Sequence, residues 1–341
     1  MKTFIISLLF LHTISANANV AIDSSKYYFG KGVEDKAAKR FLIAAKNFDK
    51  AITFNKAYTE AYIENGFVNL EMRRIEPAKV NFIKAHELQP SNAIVIKELT
   101  DLYYSGRQWD KAIEFATKCS TCENSARMIG MANYEKEEFV LAETFLLKAI
   151  AKNPSDADAT YTLARNYVEM EAYKKAVPYY DMAVKMQPEK NSWAYELGLL
   201  YYNNNNYRNA VVAFEGAAAN GYVVNNDYNE NYGYALLYSG QFAKGEEKLM
   251  ALYQKKTSNK DIIRDLAQIL YEQKQYNRSL DYCQRLLEMD GNDAKALYQA
   301  GLSFQKLGNT TKGQGMCDKA IQMDPSLASK RVAKADESGG L

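Results

Sequence analysis

The chain has 341 residues, a quarter of them charged, and a formal net charge of +2. So even a balance gives no long-range pull toward nucleic acid or an anionic membrane. Two histidines, His12 and His86, are too few for a multi-histidine metal site and leave little room for base-activated serine or cysteine chemistry, so no metal or cofactor is expected.

The first element reads as an export signal. Lys2 gives a basic start, Phe4 to Leu11 is apolar apart from Ser7, and Ala16-Asn17-Ala18 supplies the small residues of a cleavage site. The apolar run is too short for a bilayer, which takes roughly 20 residues. No cysteine follows it to carry a lipoprotein anchor, and no later stretch is apolar enough to span a membrane. The expectation is cleavage after residue 18 and a periplasmic or secreted chain starting at Asn19.

From residue 25 onward, small residues return at a fixed interval. One series is Gly32, Gly66, Thr100, Gly130, Ala164, Gly198, Gly233, Ala267 and Gly301. A second is Ala44, Ala78, Ala112, Ala142, Ala176, Ala210, Gly245, Ser279 and Gly313. Both step by 34 residues except for one step of 30 and one of 35, and they slip together. A shared slip means one repeating unit. Within it, bulky residues fall three after the first small residue (Tyr103, Tyr167, Tyr201) and four after the second (Phe48, Phe82, Phe214). Spacings of three and four share one helical face, so each repeat holds two amphipathic helices. Pro90, Pro154, Pro188 and Pro325 each precede a new element, where proline cannot extend the helix before it.

Repeats therefore start near 25, 59, 93, 123, 157, 191, 226, 260 and 294. The third is four residues short, and Cys119-Ser120-Thr121-Cys122 replaces its closing loop. No βαβ setting, further ligand pair or following histidine is present for redox, zinc or haem chemistry. The pair reads as a structural disulfide of an oxidising compartment, with two idle thiols as the alternative. Asn203 to Asn206 reads as a turn, and the repeat from 226 departs most, with Gly245 and Leu252 where alanines are usual. Cys283 and Cys317 share one core position in successive repeats, too far apart to bridge, and His86 reads as boundary packing. Residues 326–341 read as a polar cap and frayed tail.

A 34-residue helix–turn–helix with this small-residue pattern resembles the tetratricopeptide repeat (TPR). The resemblance runs from 25 to 325, and residues 157–190 carry it best, with Leu163, Ala164, Tyr167, Ala176, Tyr180, Ala183 and Pro188 in place. It implies an all-α, right-handed α-solenoid of about nine tandem hairpins, acting as a non-catalytic scaffold for a protein or peptide partner. In that family the concave groove is lined from fixed positions of each first helix. Here those positions hold Tyr104, Tyr134, Tyr161, Tyr195, Tyr202, Tyr234, Tyr238, Tyr271 and Tyr298, with Arg127, Arg165 and Arg264. Tyrosine and arginine dominate binding hot spots, so a partner is expected on the central groove, around Tyr161, Arg165, Tyr195, Tyr202, Tyr234 and Tyr238. About half of the tyrosines are expected instead to bridge neighbouring first helices. The family's lysine–asparagine clamp for a C-terminal carboxylate is missing, because Asp101 stands where Lys97 would need an asparagine. A glycan-handling role is the alternative, since tyrosines beside carboxylates suit sugar rings, though only Trp109 and Trp193 are present.

Overall fold

Among the described residues, nine take up left-handed backbone at the same point of the repeat. Lys39, Arg73, Arg107, Glu137, Glu171, Asn205 and Lys274 have φ of 55–62°, and Gly240 and Gly308 have φ of 89° and 88°. Each ends a first helix in the same way. The Arg107 N–H donates to the Tyr104 carbonyl and the Gln108 N–H to the Tyr103 carbonyl, both at 2.9 Å. Gly240 and Gln241 repeat the pair on Leu237 and Leu236. Such a stop satisfies carbonyls that the helix end leaves open and turns the chain back. A side chain at this φ costs about 1–2 kcal/mol, so seven repeats tolerate a strained turn that glycine relieves in two.

The computed structural model describes residues 24–119, 122, 124–255 and 260–328. The expected export signal and nearly all of the expected tail lie outside them. First helices are α1 (24–37), α3 (Thr59–Glu71), α5 (Ala93–Ser105), α7 (Ser125–Glu135), α9 (Ala157–Glu169), α11 (Asn191–Asn203), α13 (Asn226–Tyr238), α15 (Asp261–Glu272) and α17 (Ala294–Lys306). Second helices are α2 (Phe41–Phe54), α4 (Ile75–Leu88), α6 (Trp109–Lys118), α8 (Phe139–Lys152), α10 (Tyr173–Met186), α12 (Tyr207–Ala219), α14 (Phe242–Lys255), α16 (Tyr276–Met289) and α18 (Thr310–Met323). No strand occurs among the described residues. The chain divides into two compact bodies, Met1–Ala172 and Tyr173–Leu341. Inside each, helices pack on their sequence neighbours, and first helices also touch one another: α5 on α7 and α7 on α9 in the first body, α13 on α15 and α15 on α17 in the second. Each body is an all-α stack of helical hairpins of the solenoid type.

The two small-residue series explain the pairing. A Cβ added to Gly32, Gly66, Gly130, Gly198, Gly233 or Gly301 would lie 2.5–2.8 Å from Phe48, Phe82, Leu146, Phe214, Leu249 or Cys317, the residue sixteen places later. Each bulky side chain therefore rests on bare backbone of its partner helix, which brings the two axes close. The second series faces the first: a Cβ on Gly245 would lie 2.9 Å from the Gly233 carbonyl oxygen. At Ser279, fully buried, the hydroxyl donates to the Ala267 carbonyl at 2.7 Å.

There is no single core. Separate apolar clusters recur along the chain, each shared by adjacent repeats: Ala51 and Ile52 pack with Phe82, Leu99 and Tyr103, and Leu249 and Leu252 pack with Ile263, Leu266 and Cys283. Stability in such a stack comes from neighbour interfaces, since one hairpin cannot bury its own apolar face. Leu252, in an alanine place, fills one of these interfaces. Beyond α18, a 3-10 turn at Pro325–Leu327 buries Leu327 against Leu297 and Tyr298 and closes the last repeat.

Candidate partner-binding face

First helices are tied together by one device used in both bodies. Asp156 caps α9 by accepting the Ala159 N–H at 3.0 Å, and Arg127 of α7 grips that carboxylate at 3.0 Å and Asp158 at 3.1 Å. Asp293 caps α17 by accepting the Ala296 N–H at 2.9 Å, and Arg264 of α15 holds it through both terminal nitrogens, at 3.2 and 2.9 Å. Burial pushes the Asp293 carboxyl up, but the Arg264 hydrogen bond, the Ala296 N–H and the Arg264 charge outweigh it and leave the group below its usual range. These two arginines, expected at the groove as partner contacts, form clamps between helices, and Arg264 also lines a cleft of the second body.

Several expected groove tyrosines also bridge. The Tyr234 hydroxyl of α13 donates to Asp265 of α15 at 2.7 Å, and burial, with that bond, holds it protonated well above the usual tyrosine range. Tyr195 of α11 stacks on Tyr222 at 4.4 Å, and its hydroxyl accepts from the Asn231 amide of α13 at 2.9 Å. Tyr202 of α11 meets Tyr238 of α13 edge-on at 6.2 Å, and Tyr238 stacks on Tyr207 at 4.7 Å. Burial pushes the Tyr202 hydroxyl up to about 12. All four stay half-buried, not sealed in. Tyr298 is 5% exposed and belongs to the core.

In the first body, Tyr161 is half-buried and Arg165 is exposed, its guanidinium 5.7 Å over the Tyr134 ring. Arg165 and Tyr134 line a cleft of about 460 Å³ with Glu135, Glu137 and Glu169. In the second body, a cleft of about 410 Å³ opens between α15 and α17. Arg264, Gln268 and Tyr271 line one side, Lys295 and Gln299 the other. The Gln268 amide donates to Glu272 at 3.0 Å, while the buried Gln299 amide nitrogen has no acceptor among the described residues. The Cys283 thiol at the floor is pushed up to about 12 by burial, so it stays protonated and is a poor nucleophile. No group of three His, Cys, Asp or Glu side chains among the described residues could hold a metal ion. The arrangement offers hydrogen bonds and aromatic surface, and it suits binding.

Elsewhere, Cys119 and Cys122 are joined at the end of α6 with Cα atoms 5.3 Å apart, and Cys283 and Cys317 are free and buried. His86 lies edge-on to Phe115 at 5.1 Å, and burial lowers its pKa. No helix among the described residues is long and apolar enough to cross a membrane.

Family models of the tetratricopeptide repeat match residues 161–223, 231–294 and 295–326. The hairpins across these residues are tetratricopeptide repeats. Among curated relatives, it is 26% identical over 166 residues to anaphase-promoting complex subunit 3 of Schizosaccharomyces pombe, covering 46% of this chain and 24% of that protein. It is 31% identical over 61 residues to RNA polymerase II-associated protein 3 of Rattus norvegicus, covering 18% of this chain and 9% of that one. The match thus spans a quarter or less of either relative. Similar solved structures include YrrB, a TPR protein with an unusual peptide-binding site, at 24% identity and a TM-score of 0.39 over 56% of this chain and 97% of that one. A TPR protein from Parabacteroides merdae gives 15% identity and a TM-score of 0.36 over 78% of this chain and 93% of that one.

Of the residues lining the α15–α17 cleft, Arg264, Tyr271 and Tyr298 are among the expected groove residues, whereas Gln268, Lys295 and Gln299 are not. Glutamines carry neither the charge nor the aromatic surface that marks a binding hot spot. Lys295 was legible, because it is basic at a first-helix start where Glu60, Asp158, Asp227 and Asp261 are acidic.

Proposed function

We propose that this TPR protein is an exported, non-catalytic scaffold that holds a peptide or an extended protein segment on its first-helix face. The α15–α17 cleft carries the reading. It joins an exposed cation, Lys295, and a buried Gln299 amide nitrogen with no acceptor among the described residues to the ring of Tyr271. A buried donor without an acceptor costs about 1–3 kcal/mol, and a partner's carbonyl or carboxylate oxygen would remove that cost. The arginines and bridging tyrosines hold adjacent first helices in place, so the cleft is preorganised.

With a partner identified by pull-down from an envelope extract, Tyr271→Ala combined with Lys295→Ala should weaken binding by at least about 2 kcal/mol, or about thirty-fold. Melting temperature is the control, because Tyr271 also contacts Tyr276. Unchanged affinity in a folded double variant would rule out this cleft. Export is tested separately: intact mass of protein from the native compartment should place the new terminus at Asn19, and retention of Met1 in a cytoplasmic fraction would refute it.

A further inference from the structure

Sixteen residues after the first small residue, every repeat but the third carries a bulkier side chain: Phe48, Phe82, Leu146, Tyr180, Phe214, Leu249, Cys283 and Cys317. The third has Ala116 there, paired with Thr100 instead of a glycine. Its second helix, α6, is cut to 10 residues where the others have 13 or 14. A pocket of about 270 Å³ results between α5, α6 and α7. Its walls are Ile96, Ala116, Met128 and the Cys119–Cys122 pair. The Thr100 hydroxyl donates to the Ile96 carbonyl at 2.8 Å, so it is already satisfied by the helix's own backbone. At the mouth stand Ile94, 56% exposed, and the Lys97–Asp101 ion pair at 2.9 Å.

Protein interiors are packed to near-crystalline density, and an apolar void of about 150 Å³ already takes a benzene-sized guest. We propose that this pocket is a socket for one bulky, uncharged side chain, of the phenylalanine or leucine class, presented by an extended segment of a partner polypeptide. The guest takes the place that Phe82 or Phe214 fills in other repeats. The lining selects it: Lys97 at the mouth is already held by Asp101 and Glu98, at 2.9 and 3.1 Å, the other lining residues are uncharged, and burying an unpaired acid or base there would carry a heavy desolvation cost. Sulfur on Met128 and the cysteine pair favours an aromatic guest. A polypeptide source fits the rim, where the exposed Asn124 amide can hydrogen-bond a main chain and Ile94 continues the apolar surface outward. The socket lies in the first body and stands independently of the α15–α17 cleft.

The test is a titration of the full chain, with labelled methyl groups of Ile94, Ile96 and Met128 followed by NMR. The probes are N-acetyl-Gly-Phe-Gly-amide, its Gly-Lys-Gly counterpart, and toluene. The Phe peptide should shift these methyls saturably, at least ten-fold more tightly than the Lys peptide and more tightly than toluene. Ala116→Phe, which fills the socket from within, should abolish the shifts and raise the melting temperature. Ile94→Ala, on the exposed rim, should weaken the Phe peptide several-fold without altering the melting temperature, and it serves if the filled variant does not fold. Tyr271→Ala with Lys295→Ala should change none of this, so failure at the α15–α17 cleft is separable. Absence of shifts with the Phe peptide, equal response to the Lys peptide, tighter binding of toluene, or shifts that survive in Ala116→Phe or at full affinity in Ile94→Ala would overturn the proposal.

Discussion

Replacing Phe82 with alanine should destabilise the chain by about 3–5 kcal/mol, the range for deleting a buried ring from a core that cannot collapse around the hole. Phe82 is fully buried against the backbone of Gly66 and lies in the cluster that joins the second and third repeats. The lost ring therefore loosens both the pairing of α3 with α4 and the stacking on α5. The converse change, Gly66→Ala, places a Cβ 2.7 Å from the ring and should cost about 1–3 kcal/mol through overpacking. Combining Gly66→Ala with Phe82→Leu, which trades volume across the contact, should cost less than the sum of the single changes. Urea unfolding followed by far-UV circular dichroism measures all three. A loss below about 1 kcal/mol for Phe82→Ala would mean that this contact does not set the hairpin geometry.

Asp293→Ala removes two things at once. The capping carboxylate contributes about 1 kcal/mol to α17, and its two charge-assisted bonds from Arg264 are each of the stronger class, about 1.5–3 kcal/mol when the acceptor is buried. The Asp293 side chain is 9% exposed while Arg264 is 35% exposed, so water recovers part of the guanidinium's loss. A net cost of about 2–3 kcal/mol at neutral pH is expected. The pH dependence has a definite sign. The folded carboxyl titrates below its ordinary value, so its stabilisation is present above the unfolded carboxylate range and is lost as pH falls through the lowered folded value. The stability gap between native chain and variant should therefore shrink in acid below about pH 4. A gap that stays constant down to pH 2 would show that the cap and clamp do not depend on the ionised group.

Legibility in the sequence followed periodicity. The small-residue series stepped with the same two slips that the left-handed turns show, because close approach of two helices and the reversal between them belong to the same unit. Helix pairing, the turn at Asn205 and the burial of Cys283 and Cys317 could all be read this way. The individual partners of the groove residues could not. Arg127 and Arg264 looked like partner contacts because position within a first helix does not reveal the capping aspartate 29 residues later, Asp156 or Asp293, that takes up the guanidinium. Tyr195 and Tyr234 bridge first helices as about half of the tyrosines are expected to, but their partners, Asn231 and Asp265, lie 36 and 31 residues on and are not marked by position. Such pairings are set by the stacking of helices, which the spacing of apolar residues leaves unspecified. The hollow third repeat was present as Ala116, yet one alanine in a series of bulky residues has meaning only once its partner, Thr100, is seen to leave the space unfilled.

The most direct test of the account is site-specific photocrosslinking to the captured partner. A benzophenone side chain placed at Gln268 or Lys295, both exposed on first helices, reports on the proposed face; the same group at Val140 or Val212, 69% and 66% exposed on second helices, reports on the other. The scaffold reading predicts a crosslinked adduct from Gln268 and Lys295 and none from Val140 or Val212. Adducts from the second-helix positions alone would contradict it and move the binding surface to the opposite side of the hairpins.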